Sequence, residues 1–229
     1  YTYAKRSGSH PDIPASVTLS KYDNASVPAL ITASAATFQL YSDETCTEAI
    51  SGKTYTTSNG KLTITASDEG LGAGTYYLKE LTAPEGYDLS EEVFKLTVSV
   101  IPHQEWYEDT AQGGRVWVIY DEFRLKVEKK TDTGYKAVSA IDVTDALKTA
   151  DYTVKYWFEQ SPAAEDYRQL PEYPNLTGTL GYFDTVLAAK YELGNTGMKG
   201  IPEGYEWDHN TPDSISYDSA DKIINLYYD

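Results

Sequence analysis

Period-two alternation is the feature that most restricts this chain. The runs "SVTLSKYD" (16–23), "ATFQLYSD" (36–43), "KLTITA" (61–66), "TYYLKEL" (75–81), "VFKLTVSV" (93–100) and "RVWVIYDEFRLKV" (115–127) all set apolar residues at alternate positions. Successive side chains of a strand point to opposite faces, so each run buries an apolar face only by pairing into a sheet. No window sustains a helical period, and the content of Thr, Ser and 21 Tyr also favours strands. Turn signals separate the runs. "SNG" between "KTYTT" (53–57) and "KLTITA" predicts a hairpin, and "TAPEGYDLS" predicts a turn through Pro84 and Gly86. Short strands at this spacing predict a sandwich or partly open barrel, and a mainly β fold class.

The 229 residues are enough for two domains. Residues 1–14, with "SGSHPDIP", read as a linker, and 15–124 as the first domain. "IPHQEWYEDTAQGG" reads as a polar loop before that domain's last strand. The second domain is expected over 125–229, with a connector at about 125–150 in which 142–149 form a short helical turn. Its strands are "YTVKYWF" (152–158), "LTGTLGYFDTVLA" (176–188), "GYEWD" (204–208), "SISYDS" (214–219) and "KIINLYYD" (222–229). "APEGYD" (83–88) is echoed by "IPEGYE" (201–206), which reads as a shared turn type.

Charge and cysteine content exclude some classes. A net charge of −16 argues against binding a nucleic-acid backbone, which needs Lys/Arg stripes. No apolar run is long enough to span a membrane. The single cysteine, Cys46, allows no intramolecular disulfide, so an extracellular chain of this kind needs another staple. A chain that opens on Tyr1 reads as a segment of a larger protein.

Parity along three strands then exposes a conflict. Val17, Leu19 and Lys21 share a face. So do Tyr76, Leu78 and Glu80, and likewise Trp117, Ile119, Asp121 and Phe123. Each strand puts one ionisable group in line with apolar ones, and a lone buried charge costs several kcal/mol. Strand ends that reach water and a buried salt bridge are two structural answers. The third is covalent. Burial favours the neutral amine and the neutral carboxyl. A neutral Lys21 attacks the protonated Asp121 carboxyl, Glu80 shuttles the proton, and water leaves. The amide forms once per chain, so this is maturation and not enzymatic turnover.

"VTLSKYD", "ATFQLYSD", "GTYYLKELTAPEGYDL" and "VWVIYDEF", in this order, resemble the CnaB-type (collagen-adhesin B-region, SpaA-pilin-like) domain of Gram-positive surface proteins. The resemblance implies a transthyretin/prealbumin-like Greek-key β-sandwich with an isopeptide cross-link between Lys21 and Asp121 and with Glu80 as the catalytic acid/base. Closing a loop of about 100 residues adds several kcal/mol by the chain-entropy argument. The second half resembles MucBP/β-grasp-like repeats of Gram-positive adhesins, which implies a smaller β-grasp-like domain. Together these imply a structural stalk or display segment of a cell-wall-associated, extracellular adhesin or pilus-like protein. The alternative is an adhesin module that recognises a host glycan, mucin or other glycoprotein, or an extracellular-matrix protein, through the second domain. Neighbouring domains of the same chain are further partners. The second turn has Met198 where the first has Glu80, so no Glu-assisted bond is expected there. Asn225 with Lys126 or Lys129 could imitate such a pair only weakly.

Other candidates carry less. His10, His103 and His209 lack zinc spacing, and no metal or cofactor is expected. Cys46 reads as a free thiol, not half of a thioester. Asp208, Asp213, Asp218 and Asp221 lack the order of a Ca²⁺ loop and read as a solvated face. Trp106, Trp157 and Trp207 suit core packing better than a sugar platform. No pair of carboxylates marks a glycosidase cleft.

Overall fold

A computed structural model describes residues 7–9, 11–108, 114–161 and 166–229. The chain is mainly β. It divides into two compact units, Tyr1–Ala146 and Leu147–Asp229.

The first unit holds β1 (Ser7–Ser9), β2 (Ala15–Asp23), β3 (Thr37–Tyr41), β4 (Ala49–Thr56), β5 (Lys61–Ala66), β6 (Gly74–Thr82), β7 (Val93–Glu108), β8 (Arg115–Thr131), β9 (Gly134–Val138) and β10 (Ile141–Asp145). One sheet runs β1-β8-β7-β6-β3-β4, with β9 also on β8; the other runs β10-β2-β5. Alternation sets the packing. In β5, Leu62, Ile64 and Ala66 are buried while Lys61, Thr63 and Thr65 are exposed. Leu19, Ile64, Leu40, Leu78, Leu96 and Ile141 are among the fully buried residues that fill the space between the sheets. Each such side chain contributes roughly 1.5–3 kcal/mol.

Several sequence expectations change here. β4 pairs with β3 in the large sheet, whereas β5 pairs with β2 in the small one. The "SNG" turn therefore carries the chain from one sheet to the other. Asn59 and Gly60 take positive φ of 49° and 73°, which is why that tight turn has this composition. The expected polar loop is mostly strand: β7 and β8 stay in register from Phe94↔Lys129 out to Glu108↔Arg115. The expected linker is partly paired, since Ser7–Ser9 run parallel to Trp117–Ile119 and Ile13 exchanges backbone hydrogen bonds with Asp121 and Phe123.

The first unit does not stop at 124. β8 continues unbroken to Thr131, turns into β9, and the chain returns as β10 beside β2. Residues 142–145 are thus strand and not a helical turn. The stretch assigned to a connector supplies the strand that closes the small sheet.

The second unit holds β11 (Thr149–Ser161), β12 (Asp166–Arg168), β13 (Leu176–Gly181), β14 (Thr185–Leu187), β15 (Trp207–Thr211), β16 (Ser214–Ser216) and β17 (Ile223–Tyr228), with one 3-10 turn at Ala188–Tyr191. Its sheet runs β12-β11-β17-β15 with β13 also on β11, and β14 pairs with β16. Val154, Tyr156 and Phe158 of β11 and Ile224, Leu226 and Tyr228 of β17 form the core face.

Candidate functional site

Two adjacent strands of the first unit's small sheet and one strand of the facing sheet meet at a buried charge cluster. β2 and β10 run parallel, with Leu19 opposite Ile141 and Lys21 opposite Val143. Inward parity on β2 carries Val17, Leu19 and Lys21; on β10 it carries Ile141, Val143 and Asp145. β6, in the facing sheet, turns Leu78 and Glu80 to the same interior. Lys21, Glu80 and Asp145 are 0%, 3% and 1% exposed.

Their side chains converge. Lys21 Nζ lies 2.7 Å from Glu80 Oε1 and donates a short hydrogen bond to Asp145 Oδ1. The Ser90 backbone N–H donates to Glu80 Oε2 at 2.8 Å. Asp145 Oδ2 is buried with no hydrogen-bond partner. The Phe38 ring, 5.7 Å from Nζ, completes an otherwise apolar wall. One ammonium faces two carboxyls, so full ionisation would leave a net negative charge in an apolar core. The direction of the carboxyl pKa values fits this. Burial pushes Glu80 above its ordinary value, aided by the Asp145 charge and opposed by Lys21 and the Ser90 N–H. Burial likewise pushes Asp145 up against the pull of Lys21.

Of the three residues singled out by parity, the structure brings together Lys21 and Glu80. Asp121 lies elsewhere. It is half-exposed on β8 opposite Pro102, its N–H donates to Asp12 Oδ1 at 2.7 Å, and its charge acts on Asp68. The reason is that inward parity is not kept along all of β8. Phe123 and Val127 are buried on one parity, but Val118 is buried on the other and Ile119 is 59% exposed. Asp145 was missed because the first domain was ended too early. The signal is present in "IDVTD": the same alternation of two apolar residues and an ionisable one that marks Lys21 and Glu80.

The lesser candidates remain apart. His103 on β7 pairs with Glu122 at 2.8 Å, and His209 on β15 pairs with Asp208; His10 lies outside the described residues. Among the described residues no group of His, Cys, Asp and Glu could hold a metal. Cys46 is a free, half-buried thiol whose pKa is raised, chiefly by burial, which disfavours the reactive thiolate. Trp106 packs edge-on to Trp117 across β7 and β8, Trp157 Nε1 donates to Asn225 Oδ1 at 2.9 Å, and Trp207 packs on Tyr228.

Comparison with known proteins bears on the first unit. Residues 15–111 match the family model "SpaA: Prealbumin-like fold domain". This agrees with the two-sheet sandwich and spans β2 to β7. No curated protein matches the chain. Among solved structures, the major pilin subunit of Bacillus cereus is 16% identical, with 65% of this chain aligned to 35% of that one at a TM-score of 0.33. The chain thus spans about a third of that subunit. The major pilin of Streptococcus pyogenes is 12% identical over 95% of this chain and 97% of its own, at 0.34. A C-terminal fragment of the pilus adhesin SpaC of Lactobacillus rhamnosus GG is 14% identical over 93% and 95%, at 0.36. Overlaps this loose transfer no residue from those proteins to this one.

Proposed function

We propose that the chain is a structural stalk or display segment of an extracellular, cell-wall-associated adhesin or pilus-like protein, and that its first unit is stapled by an amide between Lys21 and Asp145. The observation that carries this reading is the position of Lys21 Nζ, in contact with both buried carboxyls and on a strand next to the unit's last one. Asp145 takes the place that parity alone gave to Asp121. The CnaB-like order of motifs supports the surface role.

The chemistry needs no cofactor. A proton leaves the Lys21 ammonium for the carboxyl pair, and Nζ attacks Cγ of the neutral Asp145 carboxyl. The N–C bond forms, one carboxyl oxygen departs as water with a proton delivered by Glu80, and the amine loses its remaining extra proton to the Glu80 carboxylate. The amide is neutral, so a buried ion pair is replaced by uncharged groups at constant net charge. The bond bridges residues 124 apart in sequence. By the chain-entropy relation it adds about 5 kcal/mol. The reaction consumes its own strand, so the chain is not an enzyme in the turnover sense.

Intact mass under denaturing conditions tests this. The expected result is one water less than the sequence, with a branched peptide joining Lys21 to Asp145. The full sequence mass for a folded, aged sample would overturn it.

A second reading concerns the second unit. The outer face of its sheet carries an open cavity of about 440 Å³ lined by Lys155, Thr211, Pro212, Asp221, Ile223 and Asn225. Next to Asn225 on β17, Tyr227 stacks on His209 at 4.5 Å and meets Tyr167 edge-on. Rings beside amide and carboxylate groups suit a glycan or glycoprotein ligand of the kind that the MucBP/β-grasp resemblance implies. Retention of the whole chain on a mucin-coated surface, abolished by Asn225→Ala, is the expected result. Equal retention of the variant would remove this reading.

A further inference from the structure

The segment between the Pro84–Tyr87 turn and β7 touches both carboxyl-bearing strands of the buried cluster. Ser90 donates its N–H to Glu80 Oε2 at 2.8 Å and is itself buried. Asp88 donates its N–H to Ala146 O at 2.9 Å, one residue beyond Asp145. Ser90 Oγ accepts the Glu92 N–H at 3.3 Å, which keeps the segment turned inward. Glu92 Oε1 accepts from Lys129, while Glu92 Oε2 is buried with no hydrogen-bond partner, as is Asp145 Oδ2. Burying backbone donors against a carboxylate and a strand end is unnecessary for holding β6 and β7 together, since those strands pair directly.

We propose that residues 88–90 form a positioning clamp for the Lys21–Asp145 condensation: Ser90 fixes the rotation of the Glu80 carboxyl, and Asp88 fixes the end of the acceptor strand. The inference rests on the amide reading above.

The geometry gives each role a reason. With one Glu80 oxygen held by the Ser90 N–H, the other is turned to Lys21 Nζ. Without that donor the carboxyl turns freely and the reacting atoms lose their alignment. Asp145 is faced by Lys21 from β2 and Glu80 from β6. Asp23, opposite it in the β2–β10 register, and the Tyr87 phenol are its other titratable neighbours. A neutral carboxyl can lose water, whereas a carboxylate cannot.

The test is a time course of water loss in the full chain. A short cell-free pulse is quenched into urea, refolded by dilution at a series of pH values and sampled by intact mass. Ser90→Pro, which removes the N–H, is expected to slow water loss about tenfold, as loss of one aligned hydrogen bond implies. Ser90→Ala, which keeps the N–H, should stay near the wild-type rate. If Ser90→Pro fails to fold by circular dichroism, a backbone ester at residue 90, incorporated during the cell-free pulse, removes the same N–H and decides. Wild-type rates in folded Ser90→Pro, or in the ester variant, would overturn the clamp. No water loss in the wild type would instead remove the amide reading on which it rests.

Discussion

The two units close in the same way and fill the closure differently. In each, a strand early in the unit pairs in parallel with its last strand: β2 with β10, and β11 with β17. Each also contains a Pro-Glu-Gly-Tyr turn, with Tyr87 N–H on Pro84 O at 3.1 Å and Tyr205 N–H on Pro202 O at 3.2 Å. The glycines, Gly86 and Gly204, have φ of 84° and 87°, a conformation that suits glycine. Four residues before these prolines, however, stand Glu80 in the first unit and Met198 in the second. The first interior holds a lysine and two carboxyls. The second holds tyrosines whose hydroxyls find neutral partners, such as Tyr228 accepting from the Leu193 N–H at 2.7 Å and Tyr156 donating to Tyr191 O at 3.1 Å. A shared turn is therefore a backbone device that does not fix what precedes it: Glu80 stands on β6 and is buried beside Lys21, whereas Met198 lies outside any strand.

The sharpest way to break the comparison is to remove the charge that makes the first unit different. Lys21→Met is expected to restore the full sequence mass and to destabilise the first unit by about 5 kcal/mol or more, because the staple is lost and two buried carboxyls lose their cation. For a unit of this size that is a fall in melting temperature of roughly 10–20 °C, measured by calorimetry. Asp145→Ala should give the same mass result. Peptide maps of the wild type should show one branched pair, within residues 1–146, and none within 147–229.

The same variant sharpens the comparison through pH. Glu80 and Asp145 titrate above their ordinary values of 4.5 and 3.8 in the folded unit. A carboxyl raised on folding holds its proton in the native state where the unfolded chain has released it. Stability is then fullest below the unfolded value and is lost as pH rises towards the folded one, by up to about 1.4 kcal/mol per pH unit for each group. Lys21→Met, with both carboxyls intact, should show this decline upward from about pH 4. The wild type should be flatter, since an amide at Asp145 does not titrate. Denaturant melts at a series of pH values would show it, and equal slopes would contradict the assignment.

In the second unit the corresponding change is smaller and independent of pH in the neutral range. Tyr228→Phe leaves the buried Leu193 N–H without its acceptor and is expected to lose about 1–3 kcal/mol. The water deficit of the first unit should be unaffected.

Much of this was legible in the strand pattern because period-two burial is local. β5 and β6 keep one buried parity and β2 departs from it only at Ser20, so Lys21 and Glu80 could be placed inward from their neighbours alone. Three things were not local. The sheet to which a strand belongs depends on distant partners, so the "SNG" turn looked like a hairpin while it joins two sheets. The outer part of β7, residues 101–106, has no buried position for alternation to show, and it read as a loop. The last strand of the first unit follows a polar stretch, "EKKTDTGYKAVSA", that looked like a junction, and Asp145 lay beyond it.

The weakest expected effect is also the cleanest separation of parity from placement. Asp121→Ala removes the acid that alternation selected, from a half-exposed position on β8. Its carboxylate neighbours are Asp12 and Asp68. The Asp68 pKa is raised, first by its hydrogen bond with Asp12, then by desolvation and by the surrounding acids, Asp121 among them. Taking one charge from a set of like charges relieves repulsion near neutral pH and does nothing once the set is protonated. The variant should therefore keep the one-water deficit and change stability by no more than about 0.5 kcal/mol, with any gain confined to pH above the carboxylate range. Intact mass and a pair of denaturant melts, one acidic and one neutral, are sufficient. Full sequence mass in Asp121→Ala, with Asp145→Ala still one water short, would return the cross-link to Asp121 and show that β8, not β10, supplies the acceptor.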